Sequence, residues 1–330
     1  MGPSVLVTGG AGYIGSHTCK RLWECGLIPV TLDNLERGHS WAVKWGPLVR
    51  ADLEDYHLLV EVMKRYQVRA VLHFAAYAYV GESVSDPRRY MRLNVIAGLN
   101  VLDAMVEVGV KDIVLSSTCA TYGIPEKIPM TEDLPQRPVN PYGESKLYLE
   151  RALKWYGRAY GIRWIALRYF NAAGADPQGE LGEDHDPETH LIPLAIRAAL
   201  GLSPHLSIFG TDYPTPDGTA IRDYIHVTDL AEAHVLALRH LQRGGKSMGL
   251  NLGTGRGHSV REVIRAVEEV ASCPVPVKEE GRRPGDPSVL VADPSLAKEV
   301  LGWEPRFLEL REIIRTAFSW HKKRAGLSGK

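Results

Sequence analysis

No stretch of the 330 residues approaches the ~20 consecutive apolar positions that a membrane-spanning helix requires. The longest apolar run, Ala70 to Val80, is about half that length and is interrupted by His73. Neither charge sign is in excess: 39 Lys and Arg against 39 Asp and Glu leave a net charge of 0. That balance argues against a nucleic-acid partner, whose footprint is a basic patch, and against a polybasic membrane-surface protein. It leaves room for a local cluster that binds a small anion. Cysteine is scarce and scattered, at Cys19, Cys25, Cys119 and Cys273, with no Cys-x-x-Cys pair and no companion histidines at metal spacing. A disulfide framework and a zinc site are therefore not expected, no metal is expected, and a reduced cytoplasm is the expected setting. The opening Ser4-Val5-Leu6-Val7 runs straight into a glycine loop, without a basic segment or cleavage site, so no signal peptide is expected.

What is present reads as an ordinary globular protein, 45% hydrophobic and 24% charged. The length exceeds the usual single core of about 250–300 residues, which predicts two lobes or one large α/β domain with an appendage. Val5–Thr8, Pro29–Leu32, Val71–Phe74, Ile113–Ser116 and Trp164–Leu167 are short apolar runs. Being nearly continuous rather than alternating, they predict strands buried on both faces, the mark of a parallel sheet. Helical stretches lie between them at Ile14–Cys25, Leu58–Tyr66, Asn94–Val108 and Tyr142–Tyr160. The order predicts an α/β fold: a doubly wound parallel sheet of Rossmann type with a smaller α/β lobe. We place the first lobe at 1–172 and the second at 173–330, with segments near 226–255 returning to the sheet. Residues 171–189 and 210–222, dense in Gly, Pro, Asp and Asn, read as long functional loops. Helices near 191–200, 228–241, 260–271, 295–301 and 309–323, and a strand Leu250–Leu252, complete the reading.

Gly9-Gly10-Ala11-Gly12-Tyr13-Ile14-Gly15 follows the first strand and opens the first helix. Backbone without side chains can approach a pyrophosphate, and the helix N-terminus supplies N–H donors and partial positive charge. Asp33 ends the second strand, eighteen residues after Gly15, placed for the hydroxyls of an adenosine ribose. An acid there favours NAD over its 2′-phosphorylated analogue. Thr118 ends the strand near 113–117, and Tyr142 and Lys146 stand four apart on a helix, sharing a face. A free tyrosine titrates near 10, so a catalytic base needs a neighbouring ammonium to favour its phenolate. By spacing alone, the pair could equally be two surface residues.

The resemblance then becomes specific. The segments VTGGAGYIGSH, LDNLERG, HFAAYAYVGES, NVIAG, SSTCATYG, PYGESK, LRYFNAAGA, HLIPL, IFGTDYPTPDGTAIRDYIHVTDLA, NLGTG and GRRPGDP run along nearly the whole chain. With them the sequence resembles the extended short-chain dehydrogenases/reductases, and among those the UDP-glucose 4-epimerases. The resemblance implies a homodimer that keeps NAD bound and inverts C4 of a UDP-hexose through a 4-keto intermediate. UDP-glucose and UDP-galactose are the implied pair, with the N-acetylhexosamine pair left open. It implies Tyr142 as the base, with Thr118 and Lys146 beside it. Gly9, Gly12, Tyr13, Ile14, Gly15, Asp33, Asn34, Asp52, Leu53, Phe74, Ala75, Ala76, Asn94 and Phe170 would hold NAD with Tyr142 and Lys146. Asn171, His190, Leu191, Phe209, Arg222, Tyr224, Arg283, Asp286 and Leu290 would hold the UDP-sugar with Thr118.

Alternatives remain at several positions. Arg283 beside Arg282 reads alone as a solvated pair, and Arg222-Asp223 as a local ion pair. His190 stands where other members have asparagine, so it is a substrate contact or a satisfied structural histidine. Ala78 replaces a lysine that reaches the cofactor in some members. Leu290 is a gate beside the hexose or a core leucine of the strand Val289–Val291. The apolar faces of Asn94–Val108 meet either a second subunit or the chain's own Tyr142 helix. Three further activities share the fold: a sugar-nucleotide 4,6-dehydratase, a non-catalytic NAD-sensing regulator and a plain dehydrogenase. The first needs an acid pair after the hydroxyl residue, where this chain has Cys119 and Ala120. The second need not keep Tyr142 and Lys146.

Overall fold

The computed structural model describes residues 2–283 and 285–327. Six strands lie in the first half: β1 (Ser4–Thr8), β2 (Ile28–Asp33), β3 (Leu48–Arg50), β4 (Ala70–His73), β5 (Asp112–Thr118) and β6 (Arg163–Tyr169). Seven follow: β7 (Asn171–Ala173), β8 (Leu206–Phe209), β9 (Ile221–His226), β10 (Met248–Leu252), β11 (Gly257–Ser259), β12 (Val277–Glu280) and β13 (Val289–Leu290). The helices are α1 (Tyr13–Glu24), α2 (Tyr56–Arg65), α3 (Val80–Ser85), α4 (Pro87–Tyr90), α5 (Ala97–Val108) and α6 (Pro141–Tyr160). Then come α7 (Leu191–Ala199), α8 (Val227–Gln242), α9 (Val260–Ala271), α10 (Ser295–Leu301) and α11 (Leu310–Arg324). Among the described residues, no helix is long and apolar enough to cross a membrane.

The main sheet is parallel throughout, in the order β10-β6-β5-β4-β1-β2-β3. Every residue of β5 is buried, as continuous apolar strands require. One core, with Leu59, Leu102 and Leu153, lies beneath α2, α5 and α6. The other, with Leu22, Leu238 and Leu301, lies beneath α1, α8 and α10. Strand order reverses at β1, which pairs with β2 on one side and β4 on the other. Ligands in open α/β sheets bind beyond the strand ends at such a point.

The second lobe is built on a small sheet, β11-β9-β13 with β7 also on β9, and a separate β8–β12 pair. A core of α7, α9 and α11 side chains, with Ile196, Val263 and Ile314, backs it. Differences from the sequence reading are local. Residues 171–189 are not all loop, because β7 begins at Asn171. The three-residue β3 and the β8–β12 pair went unread, being too short to show a period. The long helix read from Asn94 is a π-helical turn over Met91–Ile96 leading into α5. The strand containing Leu250 lies in the main sheet beside β6.

Helix α6 starts where Asn140 Oδ1 accepts the Gly143 N–H at 2.8 Å and Pro141 occupies the first turn. It stops at Gly161, whose φ of +70° suits glycine. Its buried face carries Glu150, fully enclosed and fixed by four groups. Arg168 Nη2 donates at 2.7 Å, Arg168 Nε at 3.0 Å, Ser117 Oγ at 2.6 Å and Gln136 Nε2 at 3.0 Å. Arg168 also donates to the Tyr122 hydroxyl at 2.8 Å, which donates to Asn251 Oδ1 at 2.7 Å. Removing one partner of such a pair leaves a buried charge uncompensated. Glu150→Ala should therefore lower stability by about 3–5 kcal/mol in urea denaturation. A loss below about 1 kcal/mol would show that α6 is docked by apolar packing alone.

Candidate active site

The glycine loop closes between β1 and α1. Gly9 has φ +71°, and a Cβ there would meet the Ala75 backbone at 2.6 Å. A Cβ on Gly15 would lie 2.2 Å from the Gly9 carbonyl oxygen. Glycine is thus demanded by sterics at both positions. The N-cap of α1 is Gly12, which offers no side chain to the first-turn N–H groups. At the end of β2, Asp33 Oδ2 accepts the Ala11 N–H at 3.0 Å and Oδ1 the Leu35 N–H at 2.9 Å. Burial raises its pKa, and those two donors pull it back.

A crevice of about 310 Å³ opens at the switch point. Gly9, Gly12, Tyr13, Ile14, Gly15, Asp33, Asn34, Asp52, Leu53, Phe74, Ala75, Ala76, Lys146, Phe170, Asn171 and His190 all line it. Its size, its side-chain-free glycine cradle and its anchored ribose-facing carboxylate fit a dinucleotide. Asn94 does not line the crevice. It is fully buried, accepting the Tyr77 N–H at 2.8 Å and donating to the Tyr77 carbonyl and the Ser145 hydroxyl, both at 3.0 Å. It braces the crevice wall against the first turn of α6. Glu36, Arg37, Tyr77, Tyr79, Tyr169, Glu183 and His185 line the crevice unanticipated. Tyr77 and Tyr79 lie inside the HFAAYAYVGES segment, so that segment was their signal.

At the other end, Lys146 is 2% exposed and its Nζ donates to the Ser116 carbonyl at 2.9 Å. Burial pulls its pKa down to about 7. Burial pushes Tyr142 up to about 12, with hydrogen bonding to Thr118 pulling the other way. The anticipated lowering of Tyr142 by Lys146 is thus not produced by the chain's own groups. Desolvation dominates both residues and favours their neutral forms. Thr118 itself accepts the Ala120 N–H at 3.1 Å.

Adjacent strands of the second lobe gather four of the anticipated UDP-sugar residues. Asn171 on β7 stands opposite Tyr224 on β9, and Arg222 opposite Leu290 on β13. Arg222 is paired with Asp286, not with Asp223, and Nη1 donates to the Ile221 carbonyl at 2.8 Å. Asp223 instead holds the 254–255 turn, accepting the Thr254 N–H at 2.8 Å and the Gly255 N–H at 3.0 Å. The Arg283 guanidinium lies 4.0 Å from the Phe209 ring centroid, so Arg283 stacks rather than pairing with Arg282. Arg282 bonds Asp212. Leu191 begins α7. Leu290 is half-buried against a cluster that includes Cys119 and Phe170. His190 lines the crevice and also faces Glu183, with Nδ1 2.5 Å from Oε1.

Fold and crevice together define a dinucleotide-binding α/β protein. The NAD dependent epimerase/dehydratase family matches residues 5–253, and the chain belongs to that family. It is 53% identical over 321 residues to the UDP-glucose 4-epimerase of Rhizobium meliloti, covering 97% of this chain and 98% of that one. The structure of UDP-glucose 4-epimerase from Brucella ovis in complex with NAD is similar with a TM-score of 0.94. It is 53% identical, over 96% of this chain and 98% of that one. The UDP-glucose 4-epimerase from Stenotrophomonas maltophila, with bound NAD and formylated UDP-arabinopyranose, gives a TM-score of 0.95 at 39% identity. That match covers 99% of this chain and 100% of the other.

The buried lysine has a consequence for stability. Above about pH 7 the folded chain has released the Lys146 proton, whereas the unfolded chain keeps it until near 10.5. The unfolded state then binds more protons, so stability contributed at this site rises with pH between those values. Nucleotide-free protein should show a rising urea midpoint across this window, and Lys146→Met should flatten it. Equal slopes in the two proteins would contradict the burial-driven shift.

Proposed function

We propose that the chain is an NAD-dependent 4-epimerase that interconverts UDP-glucose and UDP-galactose. The observation that carries this reading is one crevice that joins a dinucleotide cradle to Lys146 on the Tyr142 helix and to Asn171 on β7, whose neighbouring strand β9 carries Tyr224 and Arg222. NAD would lie along the glycine loop with its ribose at Asp33, and Asn34, Asp52, Leu53 and Phe74 to Ala76 would wall it. When bound, NAD supplies a reversible hydride acceptor and, oxidised, a positive ring charge. Tyr142 takes the proton from the sugar O4 and returns it, and Thr118 hydrogen-bonds the same oxygen. Lys146, held by the Ser116 carbonyl, orients that end of the site. Arg222 and Arg283 offer guanidinium forks to the diphosphate, Asp286 accepts from the ribose, and Asn171, Leu191, Phe209 and Tyr224 complete the nucleotide site.

Inversion requires the nucleotide to be held firmly and the sugar loosely. Cys119, Phe170 and Leu290, the neighbours of the hydroxyl strand end, offer the sugar no strong hydrogen bond. Cys119 and Ala120 also lack the acid and base that a dehydratase would use. A homodimer is part of this reading: Tyr148 and Trp155 share an exposed face of α6, 50% and 65% accessible, and Ile96 is exposed ahead of α5. The four free cysteines fit a reducing cytoplasm.

Purified protein should convert UDP-galactose without added NAD, release NAD on denaturation and accumulate no NADH. Stoichiometric NADH with an oxidised sugar would identify a dehydrogenase instead. Tyr142→Phe should lower turnover by about 10²–10⁴ while leaving UDP binding nearly intact. Near-normal turnover of that variant would remove Tyr142 as the base.

We also propose that Leu290 sets how large a C2 substituent is admitted, because it packs toward Cys119 and Phe170 at the hydroxyl strand end. Leu290→Tyr should then abolish turnover of UDP-N-acetylglucosamine and spare UDP-galactose. Parallel loss of both, with destabilisation of about 1–3 kcal/mol, would mark an overpacked core position instead.

A further inference from the structure

Residues 183–190 gather two carboxylates and two imidazoles that no step of the reaction uses. Glu183, His185, Glu188 and His190 present ligand atoms that all lie within 4.8 Å of one another. Both histidines turn Nδ1 inward. His190 Nδ1 is 2.5 Å from Glu183 Oε1 and 3.3 Å from Glu188 Oε1. His185 Nδ1 is 3.1 Å from Glu183 Oε1 and 3.9 Å from Glu188 Oε2.

Among the described residues, the imidazoles alone offset the two carboxylates. The Glu183 and Glu188 side chains are 4% and 3% exposed. Among the described residues, their salt-bridge partners are these two histidines and no lysine or arginine. Two buried carboxylates side by side are costly unless a cation is held between them. A divalent ion bound by two neutral imidazoles and two carboxylates leaves a centre with no net charge. The donor set of two nitrogens and two oxygens suits zinc. For bonds of 2.0–2.1 Å, tetrahedral ligand atoms stand about 3.4 Å apart. The four His–Glu separations here, 2.5–3.9 Å, bracket that value.

The backbone is held from outside, and within the loop Glu188 Oε1 accepts the Thr189 N–H at 2.8 Å and the His190 N–H at 2.9 Å. Trp320 Nε1 donates to the Glu183 carbonyl at 2.9 Å. Arg37 donates to the Asp186 carbonyl at 2.6 Å, and the Tyr79 hydroxyl to the Pro187 carbonyl at 3.1 Å. His190 is the N-cap of α7. We propose that Glu183, His185, Glu188 and His190 form a divalent-metal site, of zinc chemistry, that clips the loop before α7 onto the wall of the crevice. The role is structural: the ion ties a loop contacted by Arg37 and Tyr79 of the first lobe to a helix of the second.

The test uses the full-length protein, stripped with a chelator and titrated with Zn²⁺ alone in a calorimeter. One tight zinc per chain is expected, with a rise in Tm. Co²⁺ in its place should give the intense visible absorption of a four-coordinate ion. His185→Gln combined with His190→Gln should weaken zinc at least ~100-fold while the circular dichroism stays that of the wild type. Should that variant fail to fold, Glu188→Gln alone carries the comparison and should lower affinity. Folded wild type that takes up no zinc would overturn the site. So would variants that bind zinc as the wild type does, or cobalt with the weak absorption of a six-coordinate surface ion.

Discussion

Glu150 must be paired where it lies, and that requirement sets the register of α6 on the sheet. Among the described residues, its carboxylate is reached by Arg168 from β6, Ser117 from β5 and Gln136 from the preceding loop. Tyr142, Lys146 and Glu150 recur every four residues and so share one face of the helix. Once Glu150 is seated on Ser117, the position one turn earlier puts Lys146 Nζ on the Ser116 carbonyl. Another turn earlier, Tyr142 reaches Thr118 at the strand end. A buried ion pair two turns away thereby fixes the Tyr142 and Thr118 hydroxyls relative to each other. This is why a buried pair that contributes little net stability can still serve by excluding other registers.

The second constraint is covalent. Strand β6 of the main sheet ends at Tyr169 and β7 of the small sheet starts at Asn171, with Phe170 alone between them. The two lobes are thus joined at the crevice itself, without a linker. Phe170 is 7% exposed and lines the crevice, and Asn171 stands opposite Tyr224. A shift of one lobe would drag the glycine cradle and the β7–β9 strands together, so the distance between them is a property of the fold.

Much of this was legible in the sequence, for identifiable reasons. Glycine positions follow from sterics alone, and the burial of parallel strands writes itself as continuous apolar runs. Asp33 is legible because its distance from Gly15 equals one helix plus one strand. What escaped depends on contacts far apart in sequence or on elements too short to show a period. Arg222 reads locally as the partner of Asp223, yet its carboxylate is Asp286, 64 positions away. Asn94 reads as a polar lining residue, yet both ends of its amide are spent on Tyr77 and Ser145. The Glu183–His190 cluster sat within a stretch read as loop, and ligand spacing had been sought around cysteine. Two histidines and two glutamates within eight residues were the available signal.

The electrostatics of the two crevice ends differ, and the difference follows from hydrogen bonding rather than burial. Asp33, Tyr142 and Lys146 are all enclosed, and desolvation is the largest influence on each. Asp33 receives two backbone N–H donors, which stabilise its charge where a ribose is to be held. Among the described residues, Lys146 finds a carbonyl and Tyr142 a neutral hydroxyl, and these offset the desolvation only in part. His73 nearby is likewise kept neutral, lowered to about 3 by burial and by Lys146. In such a low-dielectric pocket the state of Tyr142 responds strongly to any positive charge placed alongside it. On the proposed reading, affinity is built into the Asp33 end, while the base strength of the Tyr142 end is supplied when a cationic group is seated there.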